Sequence, residues 1–96
     1  MAIVVLARSA VADLDELIVT RGLPTTTRQR VRASLERLAA FPLLGPQLTG
    51  RWSGFRFILG PWPWMLLVYA YDDEADRVSV VTIQDARSGR AATSVR

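Results

Sequence analysis

The chain has 96 residues and a mass of 10.7 kDa, which is room for one small domain. Half of it is hydrophobic and 22% charged, a composition that buries a core rather than staying disordered. All 12 basic residues are arginine, set against 9 acids for a net charge of +3, and cysteine, histidine and lysine are absent, which excludes disulfides, thiolate and imidazole catalysis, zinc sites of the usual kind and Schiff bases.

Ile3 to Leu6 is a short β-branched run that predicts a buried first strand. Ser9 is placed to cap a helix, with Asp13 and its acidic neighbours near the positive end of the dipole. Val11, Leu14 and Ile18 share a face of that helix until Gly22 and Pro24 stop it. Thr26 and Gln29 form a T-x-x-Q capping box for a second helix, in which Val31, Leu35 and Leu38 recur at helical spacing as far as Phe41 and Pro42. The two helices are expected to make an antiparallel hairpin.

Pro42, Gly45, Pro46 and Gly50 mark a loop, and beyond it Phe55, Phe57 and Leu59 alternate with Arg56 and Ile58 as a second strand. If Phe55 and Phe57 face the helices, Arg56 points to the opposite face, where its charge is cheaply removed. The turn Gly60-Pro61-Trp62-Pro63-Trp64 either displays two rigid indoles for recognition or folds them back as a lid on the core. Met65 to Tyr71 is almost wholly apolar and predicts a central strand, with Tyr69 a core residue. An acidic turn, Asp72 to Asp76, leads to a last strand, Val78 to Ile83. Residues 84–96 are polar and small and are expected to be a mobile or short helical tail. The order is βααβββ in a single domain, 1–96.

Charge is segregated along this order. Arg28, Arg30, Arg32, Arg37, Arg51 and Arg56 fall between Thr26 and Phe57 with Glu36 as the lone acid among them. A basic third of this kind suits a polyanion or an acidic protein, and equally an ordinary solvated helix face. The longest apolar stretch, Trp62 to Tyr71, falls well short of the roughly 20 residues of a membrane span. Ala2 to Ala7 is too short for a signal sequence, so a cytoplasmic chain with no membrane partner is expected.

In sequence, the pieces S-A-V-A-D-L (Ser9 to Leu14), L-x-x-F-P (Leu38 to Pro42), G-F-R (Gly54 to Arg56), L-L-V-Y (Leu66 to Tyr69) and V-x-V-V-x-I-x-x-x-R (Val78 to Arg87) keep an order and spacing that resemble the RelE/ParE superfamily of bacterial type II toxin-antitoxin toxins. The resemblance covers nearly the whole chain. It implies an α+β fold in which the helical hairpin packs on a twisted, mainly antiparallel four-stranded sheet. It also implies a growth inhibitor neutralised by a cognate antitoxin in a hetero-oligomer, with no cofactor.

Two activities occur among the proteins resembled. RelE-like members cut mRNA on the ribosome with sheet arginines and a late Tyr or His. Here Leu66 stands at the usual Arg position, and no Tyr or His follows Arg87. Cleavage beside a 2′-hydroxyl needs a proton acceptor, a task for which arginine is too basic. Arg51, Arg56 and Arg87 remain as phosphate-holding candidates, and Asp85 or a remote Tyr69 as the candidate acceptor. ParE-like members poison DNA gyrase by binding, and they tolerate an apolar residue at Leu66, although a His is usual where Asp85 stands. The resemblance therefore slightly favours the binding mode, with Arg56, Arg87 and Arg90 as target contacts and Arg28, Arg32 and Arg56 as antitoxin contacts. The alternatives are a ribosome-dependent endonuclease and a degenerate member that keeps only its antitoxin surface. For Arg56 and Arg87 a structural ion pair to a sheet-edge carboxylate is the competing reading.

Overall fold

A computed structural model describes residues 1–94. Its elements are β1 (Ile3–Leu6), α1 (Arg8–Thr20), α2 (Thr27–Ala40), a 3-10 turn (Gly50–Trp52), β2 (Arg56–Leu59), β3 (Met65–Asp72) and β4 (Arg77–Asp85). The strands lie in the order β1-β4-β3-β2, with β1 parallel to β4 and the other pairs antiparallel. Both helices cover one face of this mixed sheet, α1 over β4 and α2 beside β1.

The start of α1 departs from the expected cap. Ala7 holds the cap position and makes no side-chain bond, while Ser9 lies inside the helix and donates its hydroxyl to the Val81 carbonyl at 2.5 Å. The cause is the unequal length of two strands. β1 pairs with β4 only from Arg77 to Val80, so the rest of β4 has no strand on that side. A bare edge needs partners for its peptide groups. Ser9 supplies one, and Asp13 supplies another by accepting from the Thr82 hydroxyl at 2.5 Å and the Ile83 amide at 3.2 Å. Asp13 therefore serves β4 rather than the helix dipole. The T-x-x-Q box does not form either, since Thr26 makes no capping bond. The fully buried Thr27 instead turns its hydroxyl to the Pro24 carbonyl, at 2.6 Å.

β3 is buried from Met65 to Tyr69 because both of its faces are covered there, and it becomes exposed at Asp72. Met65, Leu67 and Tyr69 join Leu14, Val31, Leu35, Leu38, Val78 and Val80 in the core beneath the helices. Leu66 and Val68 face the other way, into a smaller cluster with Leu48, Ala91, Trp52, Phe55 and Phe57. A register shift keeps β4 in step with both layers. Val68 pairs with Thr82 but Tyr69 pairs with Val80, so Val81 is an extra residue that turns to the smaller cluster while Ile83 returns to the main core.

The side chains of β2 are inverted relative to the sequence expectation. Phe55 and Phe57 pack on the helix-free face, and Ile58 is the residue that enters the helix-side core. Arg56, two residues from Ile58, shares its face and does not point away from the helices. The last strand is longer than expected, taking in Gln84 and Asp85. Residues 86–94 are neither helix nor strand but linked turns, with Ala91 buried and the Ala92 amide donating to the Gln84 side chain at 2.7 Å. Residues 95 and 96 of the expected tail lie outside the described part.

Candidate functional site

At the end of the sheet where β3 begins and β4 stops, Asp85 sits opposite Met65 with only 8% of its surface exposed. Arg87 folds back on it, donating from its backbone amide and Nε to Oδ1, each at 2.9 Å, and from Nη2 to Oδ2 at 2.7 Å. Arg21, just past the C-terminus of α1, donates to the same Oδ2 at 3.2 Å. The Arg87 guanidinium holds the Asp85 carboxyl well below the usual carboxylate range, with its amide and Arg21 adding to the effect and burial opposing it. A carboxylate so occupied is a poor proton acceptor at neutral pH. The same pairing raises the pKa of Arg87.

Over this ion pair lies the proline-rich turn. Trp62 and Trp64 are half-buried against the main core and stacked on each other, with centroids 6.0 Å apart and planes 22° from parallel. The Arg30 guanidinium caps Trp62 at 4.6 Å and that of Arg87 caps Trp64 at 4.8 Å. The turn is thus a lid with cationic ends. The sequence carries no local signal for the partners Arg21 and Arg30, because both arrive from helices distant in the chain.

Arg56 occupies a different corner. Its Nη1 donates to the carbonyls of Gly45 at 2.8 Å and Leu43 at 3.4 Å, pinning the loop after α2 against β2. The Gly45 amide donates to the hydroxyl of Tyr69, which is fully buried and whose pKa burial raises. The loop comes this close only because position 45 has no side chain, since a Cβ there would stand 2.1 Å from the Phe57 carbonyl oxygen. The Tyr69 hydroxyl is thereby withdrawn from phosphate chemistry, while Arg56 holds the loop through Nη1. Arg56 pairs in register with Tyr69 on outer strand β2, whereas Arg87 lies beyond the far end of β4, so these two candidates do not converge.

Arg51 and Arg90 do share a place. Both line a groove of about 1030 Å³ on the helix-free face, floored by Phe57 and Trp52 and walled by the turns after β4. Both are exposed, and among the described residues neither forms an ion pair. A groove with two free guanidinium groups over aromatic rings can hold a phosphodiester or a carboxylate. A second groove, of about 630 Å³, lies between β1 and α2, with Val4, Leu6 and Val31 below and Arg28, Arg32 and Glu36 at its rim. Arg28 there also pairs with Asp15, at 2.6 Å. Ile3 and Val5 are exposed on the adjoining outer strand.

This arrangement of elements matches solved structures. A chain of the intact RelBE toxin-antitoxin complex of E. coli superposes with a TM-score of 0.64 at 20% identity, over 92% of this chain and 100% of that one. The RelBE2 toxin-antitoxin complex of Mycobacterium tuberculosis gives 0.62 at 22% identity, over 88% and 96%. The chromosomal ParDE system of P. aeruginosa gives 0.66 at 16% identity, over 91% and 98%. The chain has the RelE/ParE fold. No protein-family model matches this sequence, and no curated protein does. Among the described residues no helix is long and apolar enough to cross a membrane, and no group of three or more acidic, histidine or cysteine side chains is placed to hold a metal.

Proposed function

We propose that the chain is the toxin of a type II toxin-antitoxin pair and that it inhibits growth by binding its target, in the manner of the ParE-like members, without cutting nucleic acid. The observation that carries this reading is the state of two groups that could accept a proton, Asp85 and Tyr69. Asp85 is saturated by Arg87 and Arg21, and the Tyr69 hydroxyl is buried on the Gly45 amide. Arginines remain to bind an anion, and neither Asp85 nor Tyr69 is free to take a proton from a 2′-hydroxyl. Arg51, Arg87 and Arg90 are the target contacts in this reading, and DNA gyrase is the target that ParE-likeness implies.

The antitoxin contact belongs on the opposite side. Ile3 and Val5 leave an apolar strand edge uncovered beside the groove rimmed by Arg28 and Arg32. That combination suits an acidic, amphipathic antitoxin segment adding to the edge and laying its apolar side in the groove. Arg56 holds the loop through Nη1 and lies outside this groove.

The RelE-like reading is favoured by the Arg51 and Arg90 groove, whose two guanidinium groups could hold a phosphodiester. Induced expression with simultaneous readout of DNA supercoiling and total mRNA integrity tests the two. Supercoiling loss with intact mRNA is the expected result, and degraded mRNA with normal supercoiling reverses the assignment.

A further inference from the structure

We propose that Trp64 is a positioning residue for Arg87: its indole face and the Asp85 carboxylate hold the Arg87 guanidinium in one orientation, with the remaining edge open to an anionic oxygen of the target. The proposal rests on the reading of Arg87 as a target contact. A surface arginine ordinarily samples many rotamers, and an incoming anion must freeze them. Arg87 is already held. Nε and Nη2 are engaged by Asp85 at 2.9 and 2.7 Å, and the guanidinium lies 4.8 Å from the Trp64 ring. Yet the side chain is 62% exposed, which is unlike a group fixed only to complete a core.

Trp64 is itself held by two contacts. Its carbonyl accepts from the Ala86 amide at 2.6 Å and Trp62 stacks on its ring at 6.0 Å, with Arg30 of α2 over the Trp62 ring at 4.6 Å. Four flat groups are therefore linked contact by contact from α2 to the end of β4, and the last of them is the exposed guanidinium. Aromatic stacking and a two-point carboxylate fork fix a plane, whereas a carboxylate alone leaves the far side of that plane unsupported.

The test uses isotope-labelled full-length protein from cell-free synthesis and the Nε–H signals of its arginines. The unaltered protein is expected to show a resolved, slowly exchanging Arg87 signal, distinct from those of Arg51 and Arg90. Trp64→Leu should merge it with the exposed arginines and raise the inducer level that halves growth by roughly two- to fivefold. Trp64→Phe, which keeps an aromatic face, should restore both. An Arg87 signal in the unaltered protein that exchanges like those of Arg51 and Arg90 overturns the proposal, even if Trp64→Leu fails to fold. A Trp64→Leu protein that folds and keeps both signal and potency overturns it as well. Arg87→Ala separates the two levels: full growth inhibition in that variant removes the functional reading of Arg87, whereas loss of inhibition beside an unaffected Trp64→Leu removes only the role of Trp64.

Discussion

Two corners of the sheet each carry an arginine that resemblance singles out, and they use it in opposite ways. At the β2 corner Arg56 is half-buried and donates from Nη1 to the Gly45 and Leu43 carbonyls, holding a loop in place. At the β4 corner Arg87 is pinned by a buried carboxylate and an indole but keeps 62% of its side chain in solvent. The residue type is the same at both corners, and the partners decide. An arginine bound to backbone carbonyls belongs to the fold, while one held by a carboxylate along one edge still presents the other.

The contrast is sharpened first at Gly45, where the largest effect is expected. Gly45→Ala places a Cβ against the Phe57 carbonyl and displaces the loop from both Tyr69 and Arg56. Denaturant unfolding should register a loss of about 3 kcal/mol, the range of severe backbone and overpacking clashes. An unchanged midpoint would mean that the loop is not docked as described.

Next comes Asp85→Asn, which leaves two guanidinium groups without their charge partner and should cost about 1–3 kcal/mol. The pH dependence follows in sign. Because the folded-state pKa of Asp85 is depressed, its contribution is complete above the unfolded carboxylate pKa of about 3.9 and is lost as pH falls below it. Unfolding series at neutral pH and at acid pH should show the unaltered protein and Asp85→Asn converging in acid. A gap that stays constant with pH would contradict the ion-pair account.

Arg56→Ala should be milder, about 1–2 kcal/mol, since one good hydrogen bond and one long one are lost and water can reach the site. Growth inhibition per folded molecule should persist. Abolished inhibition with an unchanged melting temperature would return Arg56 to the target surface. Smallest of all is the double change Arg51→Ala with Arg90→Ala, where both side chains are exposed and free of ion pairs among the described residues. Its stability should stay within about 0.5 kcal/mol of the parent while growth inhibition falls.

Much of this fold was legible in the sequence, and the failures have identifiable causes. Helical spacing and apolar runs placed every element in order, because periodicity reports burial directly. The face of β2 was not legible, since F-R-F-I-L offers apolar residues in both phases and only the smaller cluster around Leu66 and Val68 selects one. Ser9 and Thr26 look like caps, yet the open edge of β4 claims the first and the second makes no capping bond. Asp85 and Arg87 are close enough in sequence for an ion pair to be suspected. The Gly60 to Trp64 turn was legible as a lid on the core, whereas the docking of Gly45 and Arg21 at the two corners joins residues distant in the chain, and no local pattern announces it.

The central claim is that this chain inhibits by binding and that neither Asp85 nor Tyr69 is free to act as a base. Primer extension on mRNA from translating ribosomes, after induction of the unaltered protein and of Arg87→Ala, tests it most directly. The account predicts no codon-specific cuts with either protein while growth stops with the first. Strong cuts that vanish with Arg87→Ala would contradict it.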